Sequence, residues 1–184
     1  MNLKEIFDQI EPKTDKGTSH SYIQNYYDEE FSPKQFDNIK ILEIGIRQGY
    51  SHYLWDRFFI NGEIFGVDNN ESGLEYKEFL RNTRVKIYED DAYGSFCSNF
   101  PDEYFDYIID DGPHTIESQI KVLELWLPKI KKGGKLIIED IQGKIFIPRI
   151  LKAINTSLTE NSKVYDFTSN AGKVDDILIE VTKK

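Results

Sequence analysis

Short apolar runs of about five residues alternate along the chain with stretches whose apolar positions recur every three or four residues. The runs fall at 39–44, 63–67, 84–88, 105–109 and 135–138, with two more at 163–168 and 176–181. The first five are apolar on both faces near their middles, as strands covered from both sides are. Helical spacing occupies 51–59, 72–82, 93–99 and 115–130 between them, 146–158 after the fifth, and 3–10 and 20–31 before the first. The longest carries Ile116, Ile120, Leu123, Leu127 and Ile130 and is predicted to end at Lys131-Lys132-Gly133-Gly134. Lysines there complement the carbonyl end of the helix, and glycine permits a left-handed stop. Ser169-Asn170-Ala171-Gly172 reads as a turn joining an antiparallel pair at the sheet edge. Such alternation predicts an α/β, Rossmann-like fold: a seven-stranded, mostly parallel sheet with an antiparallel last strand and helices on both faces. Ligands of open sheets of this kind bind beyond the carboxyl ends of the strands.

Length and composition narrow the class. At 184 residues the chain is expected to form one domain, with 1–36 a helical lead-in and 37–184 the α/β core. Apolar residues make up 39 % and glycine adds 12 positions, which excludes wholesale disorder. Against 32 acidic side chains stand 23 Lys and Arg, a net charge of −9 that repels polyphosphates and anionic lipid headgroups. No nucleic-acid or membrane partner is expected. Cys97 is the single cysteine, so neither an internal disulfide nor a cysteine-based zinc site is predicted. No stretch approaches the roughly 18 apolar residues of a membrane span, and a cytoplasmic protein is expected.

Candidate chemistry begins after the first strand, at Leu42-Glu43-Ile44-Gly45-Ile46-Arg47-Gln48-Gly49, followed by Ser51 at the start of a helix. Gly45 and Gly49 let backbone approach a ligand, but the position two before Gly45 is Glu43 rather than glycine. The dinucleotide fingerprint G-x-G-x-x-G is therefore absent, and a carboxylate at the strand end suits an ammonium group better than a pyrophosphate. Asp68, followed by Asn69, ends the second strand where a ribose would present its hydroxyls, and Asp91-Ala92 ends the third where a carboxylate can reach a base amino group. An amine, a ribose and an adenine without phosphate describe S-adenosylmethionine. The competing reading is that Glu43, Asp68 and Asp91 each cap a helix.

A second constellation lies at Asp110-Asp111-Gly112-Pro113-His114 and Glu139-Asp140, at the ends of the fourth and fifth strands. Carboxylates crowded on one sheet edge raise each other's pKa or take a cation. Oxygen ligands with one imidazole favour Mg²⁺, Mn²⁺ or Ca²⁺ over zinc. His114 is the side chain best suited to accept a proton near neutral pH. Alternatively, one member of each acidic pair faces solvent and His114 merely opens the next helix. Trp55, Phe58 and Phe59 cluster on the helix after the first loop, and such aromatics serve a core, an acceptor platform or a homo-oligomer face.

Thr14-Asp15-Lys16-Gly17, His20-Ser21-Tyr22, Leu42-Glu43-Ile44-Gly45-Ile46, Gly66-Val67-Asp68, Ile109 to His114 and Ile138-Glu139-Asp140 together resemble the class I S-adenosylmethionine-dependent methyltransferases. Within that class they look most like the macrolide-sugar O-methyltransferases of the demethylmacrocin and mycinamicin type. The resemblance implies a class I methyltransferase fold, with Asp111, Glu139 and Asp140 holding a divalent metal, Mg in the first instance, and His114 as general base. It also implies that Asp110 belongs to the cofactor site and that Lys16, His20 and Tyr22 fold over the methionine end of the cofactor. The implied reaction is methylation of a hydroxyl on a sugar, a glycan or a glycosylated small molecule. A metal-independent O- or N-methyltransferase, or a non-catalytic cofactor-binding subunit, are the alternatives. The chain is short for that family, so acceptor selection is expected in the N-terminal segment, the loops or a second subunit.

Overall fold

The computed structural model describes residues 1–69 and 75–184. In chain order the elements are α1 (Leu3–Gln9), α2 (Asp28–Phe31, continuing a π-helical turn over Ile23–Tyr27), β1 (Lys40–Ile44), α3 (Tyr50–Phe58), β2 (Glu63–Asp68), α4 (Glu75–Phe79), β3 (Lys86–Glu89), β4 (Phe105–Asp110), α5 (Ile116–Trp126), β5 (Ile130–Ile138), α6 (Ile147–Ala153), β6 (Thr159–Asp166), α7 (Thr168–Ala171) and β7 (Ile177–Lys183). The strands form one seven-stranded sheet in the order β3-β2-β1-β4-β5-β7-β6. The first five run parallel, and β7 is antiparallel to both neighbours. The expected architecture is the one observed.

Alternation along the strands builds two cores. Leu42, Ile44, Ile108, Leu136 and Ile138 pack with Phe105 and Trp126 on one face. Ile41, Ile109, Ile137 and Leu178 pack with Leu3, Tyr27, Phe31 and Trp55 on the other. The lead-in thus covers a sheet face that α3 alone leaves open. Trp55, Phe58 and Phe59 are all fully buried, so the core reading of these aromatics holds and they present no oligomer face.

Several element boundaries differ from those the pattern predicts. The helix predicted over 115–130 stops at Trp126, because Pro128 in the next 3-10 turn has no N–H to continue the ladder. Lys131-Lys132-Gly133-Gly134 then lies in β5 rather than at a helix end, and Gly134 is needed there because a Cβ would meet the Asp106 carbonyl oxygen at 2.6 Å. The segment at 93–99 tightens to a 3-10 turn over Phe96–Asn99, and β6 begins at Thr159 instead of 163. Residues 72–74 of the helix predicted over 72–82 lie outside the described residues. Among the described residues no helix is long and apolar enough to cross a membrane.

Candidate active site

A cavity of about 800 Å³ opens at the carboxyl ends of β1, β2, β3 and β4. Its floor is set by Gly45, whose φ of +92° is natural only to glycine. A Cβ there would sit 2.2 Å from the carbonyl oxygen of Asp111. Gly45 N–H ties the loop after β1 to β2 through Val67 O at 2.9 Å, and Asp111 N–H ties the loop after β4 to the end of β1 through Ile44 O at 3.0 Å. Asp68 accepts the Ile46 N–H at 2.8 Å through Oδ2, so the ribose candidate also holds the glycine loop in shape.

Of the residues singled out from sequence, Gly45, Ser51, Asp68, Asn69, Asp91, Ala92, Asp111, His114 and Asp140 line this cavity. Thr14, Asp15, Thr18 and Tyr93 line it too and were missed: the first three are short polar side chains in the lead-in that carry no pattern of their own, and Tyr93, after β3, reads from sequence only as part of a helical segment. Glu43, Gly49, Asp110, Lys16, His20, Tyr22 and Glu139 are not among its lining residues.

Each of these seven has a partner or a packing role that accounts for its position. Glu43 does not face a ligand ammonium: it accepts from Ser51 Oγ at 2.7 Å and Trp55 Nε1 at 2.6 Å, with the Lys16 ammonium 3.2 Å from Oε1. Burial opposes its charge, but Lys16 and then His52 hold its pKa below the ordinary glutamate value. Gly49 starts α3 at φ +81° against Leu80. Asp110 accepts from Tyr93 Oη at 2.5 Å, and burial pushes its pKa up to about 7 despite that bond. Glu139, expected as a metal ligand, is instead taken by the protein: Oε1 accepts from Tyr27 Oη at 2.5 Å and Oε2 from the Lys16 ammonium. Lys16, His20 and Tyr22 do not fold over the cavity but grip the carboxylates from beneath. Burial opposes the Lys16 charge, yet Asp111, Glu139 and Glu43 hold it well above an ordinary lysine.

Asp140 is gripped the same way. Tyr22 Oη donates to its Oδ1 at 2.8 Å, and His20 Nδ1 lies 3.3 Å from the same oxygen. Burial, then Lys173, lowers the His20 pKa. A neutral ring fits the contacts, with Nδ1–H toward Asp140 and Nε2 accepting from the Lys173 ammonium at 3.1 Å. The remaining Asp140 oxygen, Oδ2, lies 3.7 Å from His114 Nε2, and Asp111 Oδ1 is 3.8 Å from that nitrogen. His114 and Asp140 adopt φ of +55° and +53°, a conformation non-glycine residues rarely hold and one that clusters at functional sites. Burial lowers the His114 pKa, so the ring is neutral at neutral pH and able to take a proton. Burial, then the Asp111 charge, pushes Asp140 up to about 7.

One donor atom each from Asp111, His114 and Asp140 fall within 4.8 Å of one another, as do those of His20, Asp140 and Asp175. The two carboxylates on a half-open wall are oxygen donors that a hard divalent ion such as Mg²⁺ or Mn²⁺ accepts, and the imidazole beside them is free for proton transfer when it does not itself coordinate.

The strand order, with β7 antiparallel to its neighbours, and the glycine loop after β1 give the fold of the class I methyltransferases. The chain belongs to the Methyltransferase domain family, whose match spans residues 42–141. It is 30 % identical over 139 residues to demethylmacrocin O-methyltransferase of Streptomyces fradiae, covering 70 % of this chain and 34 % of that protein. It is 29 % identical over 128 residues to mycinamicin VI 2''-O-methyltransferase of Micromonospora griseorubida, covering 63 % of this chain and 30 % of the relative. The chain therefore spans about a third of the length of these curated relatives. The structure of the MycE methyltransferase in complex with Mg, SAH and mycinamycin VI superposes with a TM-score of 0.73 at 19 % identity, covering all of this chain and 54 % of that one, which is a likeness of fold.

Proposed function

We propose that this domain transfers the methyl group of S-adenosylmethionine to a hydroxyl of a sugar or glycosylated small molecule, with His114 as general base. The observation that carries the reading is the His114 imidazole on the cavity wall, with Nε2 facing Asp111 Oδ1 and Asp140 Oδ2. The curated relatives named above methylate macrolide sugars, which supplies the acceptor class. Asp68 and Asp91 would receive the ribose hydroxyls and the adenine amino group, and Gly45 admits the cofactor close to backbone. Asp111 and Asp140 would hold a divalent metal, which when bound would lower the pKa of an acceptor hydroxyl. His114 Nε2 takes the hydroxyl proton as the oxygen attacks the methyl carbon. The carbon–sulfur bond breaks, and its electron pair stays on sulfur as the neutral thioether of S-adenosylhomocysteine. Tyr22 and His20 fix Asp140 from below, so the wall is preorganised before substrate arrives.

A metal-independent variant of the same transfer is favoured by one observation: Lys16 already supplies a buried cation to three carboxylates. Both readings are tested with the purified protein, S-adenosylmethionine and glycosylated macrolide acceptors, with Mg²⁺ present or removed by chelation. Turnover that stops on chelation and in His114→Ala, with S-adenosylhomocysteine still bound, supports the metal and base. Turnover unchanged by chelation selects the metal-independent reading, and unchanged turnover in His114→Ala removes the base.

A further inference from the structure

Lys16 belongs to a three-residue turn, Asp15–Gly17, yet its side chain is 2 % exposed and reaches the carboxyl edge of the sheet. Its ammonium donates to Asp111 Oδ2 at 2.6 Å and to Glu139 Oε2, and lies 3.2 Å from Glu43 Oε1. The three carboxylates come from β1 and from the residues just after β4 and β5. An ammonium has three protons and no acceptor; two are donated to Asp111 and Glu139, Glu43 lies in ion-pair range, and Lys16 is not among the residues lining the cavity. On Asp111, engagement of Oδ2 leaves Oδ1 as the oxygen nearest His114 Nε2, at 3.8 Å.

We propose that Lys16 is a positioning residue for Asp111, fixing which carboxylate oxygen faces His114 and Asp140, and that it touches neither cofactor nor acceptor. A mere countercharge would serve at any point in the cluster, whereas hydrogen bonds to the carboxylates just after β4 and β5 and an ion pair to the one on β1 hold a single rotamer. The inference leans on the proposed function only where a metal is used as a probe.

Removing the lysine alone strands buried carboxylates and confounds the result with unfolding. Lys16→Met combined with Glu139→Gln removes one charge of each sign and leaves the cluster at the same formal charge. Three readouts follow: the crystal structure of the double variant, Mn²⁺ binding by electron paramagnetic resonance, and S-adenosylhomocysteine affinity by calorimetry. The expected result is an Asp111 carboxylate turned from its original rotamer and Mn²⁺ affinity weakened about ten- to a hundred-fold, the range for lost outer-shell support of a ligand. The loss in S-adenosylhomocysteine affinity is expected to be much smaller. Asp111 unmoved in the double variant overturns the proposal, as does a cofactor loss equal to or larger than the Mn²⁺ loss, which would make Lys16 a cofactor ligand. If the unaltered protein takes up no Mn²⁺, the metal reading fails, and the Asp111 rotamer alone decides the role of Lys16.

Discussion

Gly45→Ala separates backbone crowding from backbone strain at the centre of the site. The added Cβ would lie 2.2 Å from the Asp111 carbonyl oxygen, and contacts below 3.0 Å are essentially never seen, so the β1 and β4 loops must part by at least about 0.8 Å. Holding alanine at φ +92° costs roughly 1–2 kcal/mol. Forcing the loops apart costs about 1–3 kcal/mol more, as overpacking does elsewhere. The expected destabilisation is therefore about 2–5 kcal/mol in urea unfolding. Because the displaced carbonyl belongs to Asp111, its carboxylate leaves His114, and S-adenosylhomocysteine affinity is expected to fall at least about tenfold. Gly133→Ala is the control: its φ is +74°, but no heavy atom lies within 4 Å of the added Cβ, so only the strain cost of about 1–2 kcal/mol remains. A Gly45→Ala protein no less stable than Gly133→Ala, with unchanged cofactor affinity, would refute the crowding argument.

Three further outcomes follow from contacts around the same edge. Trp55→Phe keeps a ring in the core but removes the N–H that Glu43 Oε2 accepts at 2.6 Å, and is expected to cost about 1–3 kcal/mol in urea unfolding; a cost under about 0.5 kcal/mol speaks against Glu43 needing that donor. Asp110→Asn tests a raised carboxyl: with a folded pKa of about 7 against 3.8 unfolded, the stability Asp110 contributes is complete below pH 4 and lost as pH rises to about 7. The variant should gain about 2–4 kcal/mol over the parent at pH 8 and little at pH 4, and an equal difference at both pH values contradicts this. Arg47→Ala breaks an ion pair with Asp15 whose side chains are 71 % and 43 % exposed, so unfolding should shift by less than about 1 kcal/mol; a larger loss would mean the lead-in hangs on Arg47 rather than on buried contacts.

The sheet was legible because its information is local. Runs such as Ile41-Leu42 and Ile108-Ile109 are apolar at consecutive positions, as strands covered on both faces are, and their alternation with helical spacing predicts a mostly parallel sheet; the order of the strands within it comes from the structure. Element ends were less legible where one residue overrides a pattern. Pro128 ended a helix whose apolar spacing continued to Ile130, and the lysines and glycines read as a helix stop became the start of β5.

The acidic edge shows the same limit at the level of side-chain direction. Alternation carries Glu43 to the face of Ile41, Asp111 to that of Ile109 and Glu139 to that of Ile137, and all three of those isoleucines lie under the lead-in with Leu3, Tyr27 and Trp55. The register, Ile44 beside Asp110 and Asp110 beside Ile138, brings the three acids onto neighbouring strand ends. Two buried carboxylates and a half-buried one on a face closed by the lead-in require a cation, and Lys16 of the lead-in supplies it. Asp110, two residues beyond Ile108, goes to the opposite face and finds Tyr93. Period two therefore puts Glu43 and Glu139 on the face under the lead-in, but it does not separate them from Asp111, which shares that face and still lines the cavity. Asp140 and His114 escape even that rule. Their φ values of +53° and +55° redirect the side chains, with no glycine in either position to announce it. Of the four described non-glycine residues at positive φ, Arg47, Glu103, His114 and Asp140, the last two approach each other at the cavity wall, so part of the cost of assembling the site is borne where its chemistry is proposed to occur.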